Sequence, residues 1–262
     1  MYGLGANALD EAAVRSIYEA KGRPASSPLI VHVTGIEMAR ELAAEWTEKA
    51  GKLASSFWPG PLTIVVPKKS HVSDIVTAGH PSVGLRMPAH PVAMALLKAA
   101  GIPVAAPSAN RFTQLSSTTA EHVREAFPGI FTLDGGPCAV GIESTVISLT
   151  GPAPRILRPG MIAKSQIEQV IGPVETGAGP ESPGQHPRHY SPRTKVILGA
   201  TPQQGNGVRL ELPGDPHQCA EQLYAKLHTL DQQGYDWIAI ELPPDTPEWA
   251  GIRDRLQRGA SK

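Results

Sequence analysis

Two short stretches, PVAAPSAN at 103–110 and GIESTVIS at 141–148, limit what this chain can fold into more than any other feature. Each sets small hydroxyl residues directly after a β-like run, so that short hydrogen-bond donors sit on a rigid strand edge where the charged oxygens of a ligand can be gripped. Four cations accompany them: Lys21 and Arg23 in KGRP, Arg86 in GLRMP and Arg158 in LRPG. Guanidinium and ammonium groups beside hydroxyls suit an anionic, phosphate-bearing substrate.

A chain of 262 residues with 41% hydrophobic side chains has enough apolar material for one large domain, or for a medium one with a small appendage. The 26 glycines and 26 prolines mark frequent turns, yet they are not periodic and do not dilute the apolar segments enough to imply disorder. Residues 1–195 hold 18 Lys and Arg against 15 Asp and Glu, and 196–262 hold 6 against 9. Differences of that size do not argue for a nucleic-acid-binding surface. No apolar run reaches bilayer length and no basic-then-apolar leader opens the sequence, so no membrane partner is expected. Cys138 and Cys219 match no metal-ligand spacing and read as buried thiols of a reducing compartment, which predicts a cytoplasmic protein.

Strand and helix patterns alternate along the first two-thirds. The spacing of Ala13, Val14, Ile17 and Tyr18 predicts a helix capped by Asp10 and stopped at Gly22 and Pro24, which puts Lys21 and Arg23 at a helix exit. Strands are expected at 28–33, 61–67, 82–88, 102–106, 130–134, 144–149 and 155–158. Helices are expected at 36–57, at 91–100, after a capping box of Thr118 and Glu121, and near 165–171. The order lacks a regular βαβ repeat and predicts an α+β or mixed-sheet α/β domain over 1–172. Residues 173–193, rich in Pro, Gly and His, read as a linker. From 194 to 262, strands around KVILGA, VRLELP and YDWIAIEL with helices at 217–233 and 247–258 form a small C-terminal α/β domain.

Taken singly, these residues have structural readings. Lys21 and Arg23 could complement a helix C-terminus, and His32 between Val31 and Val33 could be a satisfied strand histidine. Ser108 and Asn110 could cap a turn, and Ser144 with Thr145 could be strand residues of high β propensity. His186 and His189 form a lone H-x-x-H, which is weak evidence for a metal. Cys138, His71, His90 and the tryptophans read as structural.

In order along the chain, YGLGANALDEAAVRSIYEAKGRP, PLIVHV, WPGPLT, LRMPAHP, PVAAPSAN, GIESTVIS, LRPG and HYSP resemble the YrdC-like family of L-threonylcarbamoyladenylate synthases. The resemblance is to the two-domain type with a linker and a C-terminal α/β domain, and it implies a mixed, twisted YrdC-like sheet. It also implies condensation of L-threonine, bicarbonate and ATP to threonylcarbamoyl-AMP and pyrophosphate, for N6-threonylcarbamoyladenosine in tRNA. Carried over, it makes Lys21 and Arg23 the catalytic cations. It assigns Lys21, Ser82, Ser108, Asn110, Ser116, Arg158 and Tyr190 to ATP, and His32, Arg86, Ala106 and Ser144 to L-threonine. Tyr190 would close the linker over the nucleotide. Mg2+ would bridge the triphosphate with few protein ligands, and the tRNA threonylcarbamoyl transferase machinery would be the downstream partner.

Family members carry a strand and a P-T-E-T segment before the tyrosine that is Tyr2 here. The expectation is therefore an N-terminally truncated member with a shortened C-terminal domain. A rival reading is a non-catalytic tRNA- or RNA-binding scaffold of the same fold. Another is the carbamoyl-adenylate chemistry of hydrogenase-maturation carbamoyltransferases, whose acylphosphatase-like and zinc-finger segments this sequence lacks.

Overall fold

Asp10 starts the first helix by accepting the amides of Ala12 and Ala13, and Gly22 stops it by entering the left-handed region at φ 62°. The computed structural model describes residues 1–179, 181–183, 189–199 and 204–260. In chain order the elements are β1 (Ala6–Asn7), α1 (Glu11–Lys21), β2 (Ile30–His32), α2 (Ile36–Leu42), α3 (Glu48–Phe57), β3 (Leu62–Pro67), α4 (Asp74–Thr77) and β4 (Ser82–Arg86). They continue with α5 (Pro91–Ala100), β5 (Val104–Ala105), α6 (Ala120–Ala126), β6 (Thr145–Ser148), β7 (Arg155–Arg158), α7 (Lys164–Ile171) and β8 (Glu175–Thr176). The last are β9 (Lys195–Leu198), β10 (Gly207–Leu210), α8 (Pro216–Asp231), β11 (Trp237–Ile240), a 3-10 turn (Pro247–Trp249) and α9 (Ala250–Ala260).

Two compact units result, and they do not follow chain order. One comprises Gly3–Pro107 and Ser144–Gln185; the other comprises Met1–Tyr2, Ser108–Glu143 and His186–Lys262.

The first, the sheet unit, is an eight-stranded mixed sheet in the order β1-β5-β2-β4-β3-β6-β7-β8. Strand alternation sorts its residues. Val31, Leu62, Ile64, Val83 and Leu85 project into the main core with Ile17, Leu53 and Ile167 from the helices. Full burial of each such side chain contributes about 1.5–3 kcal/mol. The intervening residues His32, Thr63, Ser82 and Arg86 therefore fall on the opposite face. Gly84 keeps that face open, since a Cβ there would stand 3.2 Å from the Thr63 methyl.

In the second unit, β9, β10 and β11 form a parallel three-stranded sheet in the order β10-β11-β9. Cys219, Leu223, Tyr224 and Leu227 of α8 and Ile252 and Leu256 of α9 are buried.

Four expectations are corrected. The helix expected across 36–57 is two helices: the Ala43 bridge to Lys68 and the Ala44 amide bond to Pro67 pull the chain out, and Thr47 caps a new start by accepting from Ala50. Thr119 rather than Thr118 caps α6, accepting from His122 at 3.3 Å, while Thr118 pairs with the His122 ring. Residues 130–134 form no strand; Phe131 is 88% exposed and finds no apolar partner that would make pairing pay. Cys138 is half-buried, unlike Cys219. Among the described residues, no helix is long and apolar enough to cross a membrane.

Candidate functional site

Parallel pairing of β2 with β4 sets His32 directly opposite Arg86 at the strand ends. The Arg86 Nε donates to the Gly60 carbonyl at 3.0 Å, and the Gly60 amide donates to Met87 at 2.9 Å. The WPG turn thus latches the strand end and orients the guanidinium. A side chain at Gly60 would press a Cβ to 2.3 Å from the Phe57 carbonyl oxygen, which accounts for glycine there.

Ser144 enters from the neighbouring strands. Its hydroxyl lies 2.8 Å from that of Thr63 and accepts from Arg158 Nη2 at 3.1 Å, while its carbonyl accepts from Arg158 Nε at 3.1 Å. Arg158 is 2% exposed and also donates to the Pro183 carbonyl. The LRPG motif ends in glycine because a Cβ on Gly160 would sit 2.4 Å from the Thr145 nitrogen.

The electrostatics of this cluster ask for an anion. Burial, and then the positive charge of Arg158, lower the Arg86 pKa to about 10, so the guanidinium stays charged at neutral pH. Among the described residues, neither Arg86 nor Arg158 has a carboxylate within 4.0 Å. Two neighbouring cations, one half-buried and one buried, with no described carboxylate beside them are costly until a carboxylate or phosphate joins them. Burial, reinforced by Arg86, pushes the His32 pKa down to about 3, leaving a neutral imidazole whose buried Nδ1 has no partner among the described residues. It is a ready acceptor or donor for a bound ligand.

Lys21, the last residue of α1, is buried, as is Arg23 just past the glycine cap. Arg23 Nη2 bonds to the Ser27 hydroxyl and, at 3.0 Å, to the Pro28 carbonyl. The Tyr18 hydroxyl lies 3.0 Å from the carbonyls of Ser27 and Ile75, tying down the same turn. Burial raises its pKa to about 12, against the pull of Arg23, so it titrates nowhere near neutrality. Ser82, at the other end of β4, lies on the same face as Arg86, about 13 Å along the strand. Its buried hydroxyl has no partner among the described residues. Ala106 extends the β5 pairing by donating its amide to Ile30.

The remaining predicted residues belong to the second unit, and their side chains are largely engaged there. Asn110 donates to the carbonyls of Arg111 and Gln114 and also takes the Ser108 carbonyl through its own amide. Ser116, fully buried, donates to Glu143 at 2.7 Å. Tyr190 adopts φ 58°, is 2% exposed, and packs between Tyr224, His189 and the Arg255 guanidinium. His189 meets Phe112 edge-on, and no group of three or more metal-ligating side chains gathers among the described residues. His186 lies outside them.

Sequence reasoning missed Thr63, Gly60, Ser27 and Glu143 as individuals. Three of them sit inside or beside motifs it singled out, WPGPLT and GIESTVIS, and Ser27 follows KGRP by three residues.

A family model described as "Telomere recombination" matches residues 1–160, and one described as "Threonylcarbamoyl-AMP synthase, C-terminal domain" matches 162–261. The chain is 40% identical to threonylcarbamoyl-AMP synthase of Bacillus subtilis (strain 168), over 99% of its own length and 87% of that protein. It is 46% identical to the threonylcarbamoyl-AMP synthase of Pyrococcus abyssi over 78% of this chain and 63% of the relative. The crystal structure of P. abyssi Sua5 complexed with L-threonine matches with a TM-score of 0.93 at 36% identity, covering 99% of this chain and 87% of that one.

Proposed function

The chain belongs to the threonylcarbamoyl-AMP synthase family of nucleotidyltransferases, and from that premise we propose how its residues divide the work. The observation that carries the reading is the pair of half-buried Arg86 and buried Arg158, two guanidinium groups with no carboxylate within 4.0 Å among the described residues, beside Ser144 and the neutral His32.

Arg86 receives the carboxylate of L-threonine, which a planar guanidinium holds through two parallel bonds. Neutral His32 and the Ser144 hydroxyl orient the rest of the amino acid. The P. abyssi relative crystallised in complex with L-threonine supports threonine as the substrate. Ala106 contributes backbone to the same side.

The amine, once deprotonated, attacks CO2 derived from bicarbonate and forms a carbamate. A carbamate oxygen then attacks the α-phosphorus of ATP, and pyrophosphate leaves. No protein nucleophile is needed, so catalysis consists of positioning and charge stabilisation. Lys21 and Arg23 face the phosphates and offset the charge that develops on them; Arg158 adds a third cation. Ser82 lies at a distance from Arg86 that an extended nucleoside triphosphate can bridge. Ser108, Asn110, Ser116 and Tyr190 keep the nucleotide-side roles that the family pattern gives them, with Asn110 and Ser116 acting through the loops they hold.

Mg2+ would be supplied with the nucleotide, where it would offset phosphate charge. A donor set of hydroxyls and cations suits an anionic nucleotide and builds no Mg2+ cage of its own. We place the reaction in the cytoplasm, with a tRNA threonylcarbamoyl transferase consuming the labile product. The domain plan is a catalytic domain over 1–172, a linker over 173–193 and a C-terminal domain over 194–262.

Pyrophosphate release tests the reading. It should require threonine and bicarbonate together, and Lys21→Met or Arg86→Met should abolish most of it in folded protein. ATP cleavage that ignores threonine would count against it.

A further inference from the structure

Glu143 is the residue around which the second unit organises its buried polar groups. Its Oε1 accepts from the Ser116 hydroxyl at 2.7 Å; its Oε2 accepts from Arg255 Nε at 2.6 Å and from the Tyr224 hydroxyl at 3.2 Å. Arg255 comes from α9, more than a hundred residues along the chain, and is one of the largest fully buried side chains among the described residues. It reaches further than the carboxylate. Its Nη2 also donates to the backbone carbonyl of Glu143 at 3.3 Å.

The next residue, Ser144, is held in the same way by a different arginine. Arg158 donates to its carbonyl and to its hydroxyl, both at 3.1 Å. Consecutive residues are thus each fixed at side chain and carbonyl by one guanidinium: Glu143 by Arg255 within one unit, Ser144 by Arg158 within the other. The 143–144 peptide bond is where the chain passes between those units. A guanidinium that fixes the 143 carbonyl fixes the plane of that peptide, and hence the nitrogen from which Ser144 begins.

We propose that Arg255 is a positioning residue for the amino-acid site: through Glu143 it sets the Ser144 backbone, so that the last helix of the chain tunes L-threonine binding without touching the substrate. The inference rests on the assignment of Ser144 to L-threonine. Tyr190 over the face of Arg255 at 5.2 Å and Asp254 at 2.6 Å hold the guanidinium in place, which is the preorganisation such a role requires.

The test is steady-state pyrophosphate release by the full chain, with KM measured separately for L-threonine and ATP. Arg255→Met should raise the threonine KM about tenfold to a hundredfold, the range for loss of a group that orients a direct ligand; the ATP KM should move as well, since Arg255 stacks on Tyr190 and shares Glu143 with Ser116, both given nucleotide-side roles. Because that variant strands a buried carboxylate, the double variant Glu143→Gln, Arg255→Met is measured beside it. Methionine cannot donate to the 143 carbonyl, so the double variant should stay folded and keep the raised threonine KM. Arg255→Lys, which restores the charge but not the fork, should fall between. A double variant with wild-type threonine KM would overturn the proposal, since the pair would then only neutralise a buried charge. A rise in the ATP KM alone, with the threonine KM unmoved, would overturn it too. If wild-type protein releases no threonine-dependent pyrophosphate, the functional reading itself has failed, which is a separate result.

Discussion

His32 and Arg86 are direct cross-strand partners in the parallel pairing of β2 with β4, a neutral imidazole beside a guanidinium that no described carboxylate neutralises. Under the proposed function, that relationship makes the ends of two central strands an amino-acid site. The arginine supplies the charge, and the histidine supplies a hydrogen-bonding group that does not add to it.

Arg86→Met should raise the threonine KM about tenfold to a hundredfold, the cost of losing hydrogen bonds to a charged group. Arg86→Lys should recover little, because lysine offers neither the fork nor the Gly60 latch. Pyrophosphate release measured against L-threonine concentration checks both.

Acid should destabilise the fold through two histidines. Unfolded histidine titrates near 6.5, whereas burial holds His32 down to about 3 and His228 down to about 4, the latter also through His122 stacked on it at 3.8 Å. Below pH 6.5 the unfolded chain therefore binds protons that the fold refuses, and stability falls as pH drops toward those values. Each group should contribute about 1 kcal/mol per pH unit in that window. Urea melts at pH 7 and pH 4.5 should show the loss, and His32→Asn or His228→Gln should remove one share each.

Gly160→Ala should cost about 2–3 kcal/mol, since its methyl group meets backbone that cannot retreat without spreading β6 from β7. Denaturant midpoints measure the stability loss, and the threonine KM should rise with it because Ser144 lies on the displaced segment.

Thr119→Ala should destabilise the protein by about 1 kcal/mol through loss of the α6 cap. Thr118→Ala should cost clearly less, as its hydroxyl meets the His122 ring, at 3.3 Å, and caps no helix amide among the described residues. Reversal of that order would restore the capping box that the local spacing suggested.

What the sequence made legible was what local chemistry decides. Asp10 and Gly22 bound α1 because a cap and a left-handed glycine act within a few residues, and alternation in β2, β3 and β4 separates core from site. Tertiary contacts decided the rest. The break between α2 and α3 comes from a bridge between Ala43 and Lys68, 25 positions apart in sequence, which no periodicity announces. Residues 130–134 carry β-prone side chains but gain no pairing partner. Family motifs mark Lys21, Arg23, His32, Arg86 and Arg158 in the sequence, and the structure brings His32, Arg86 and Arg158 together, whereas the Glu143 and Arg255 pair joins an unremarkable helix to a motif residue over 112 positions.

The most direct measurement is mass spectrometry of the products after incubation with ATP, Mg2+, L-threonine and isotopically labelled bicarbonate. Threonylcarbamoyl-AMP carrying the label, formed only when threonine is present and lost in Arg86→Met, is the result predicted here. Folded wild-type protein that binds threonine yet yields no labelled adenylate would contradict the account.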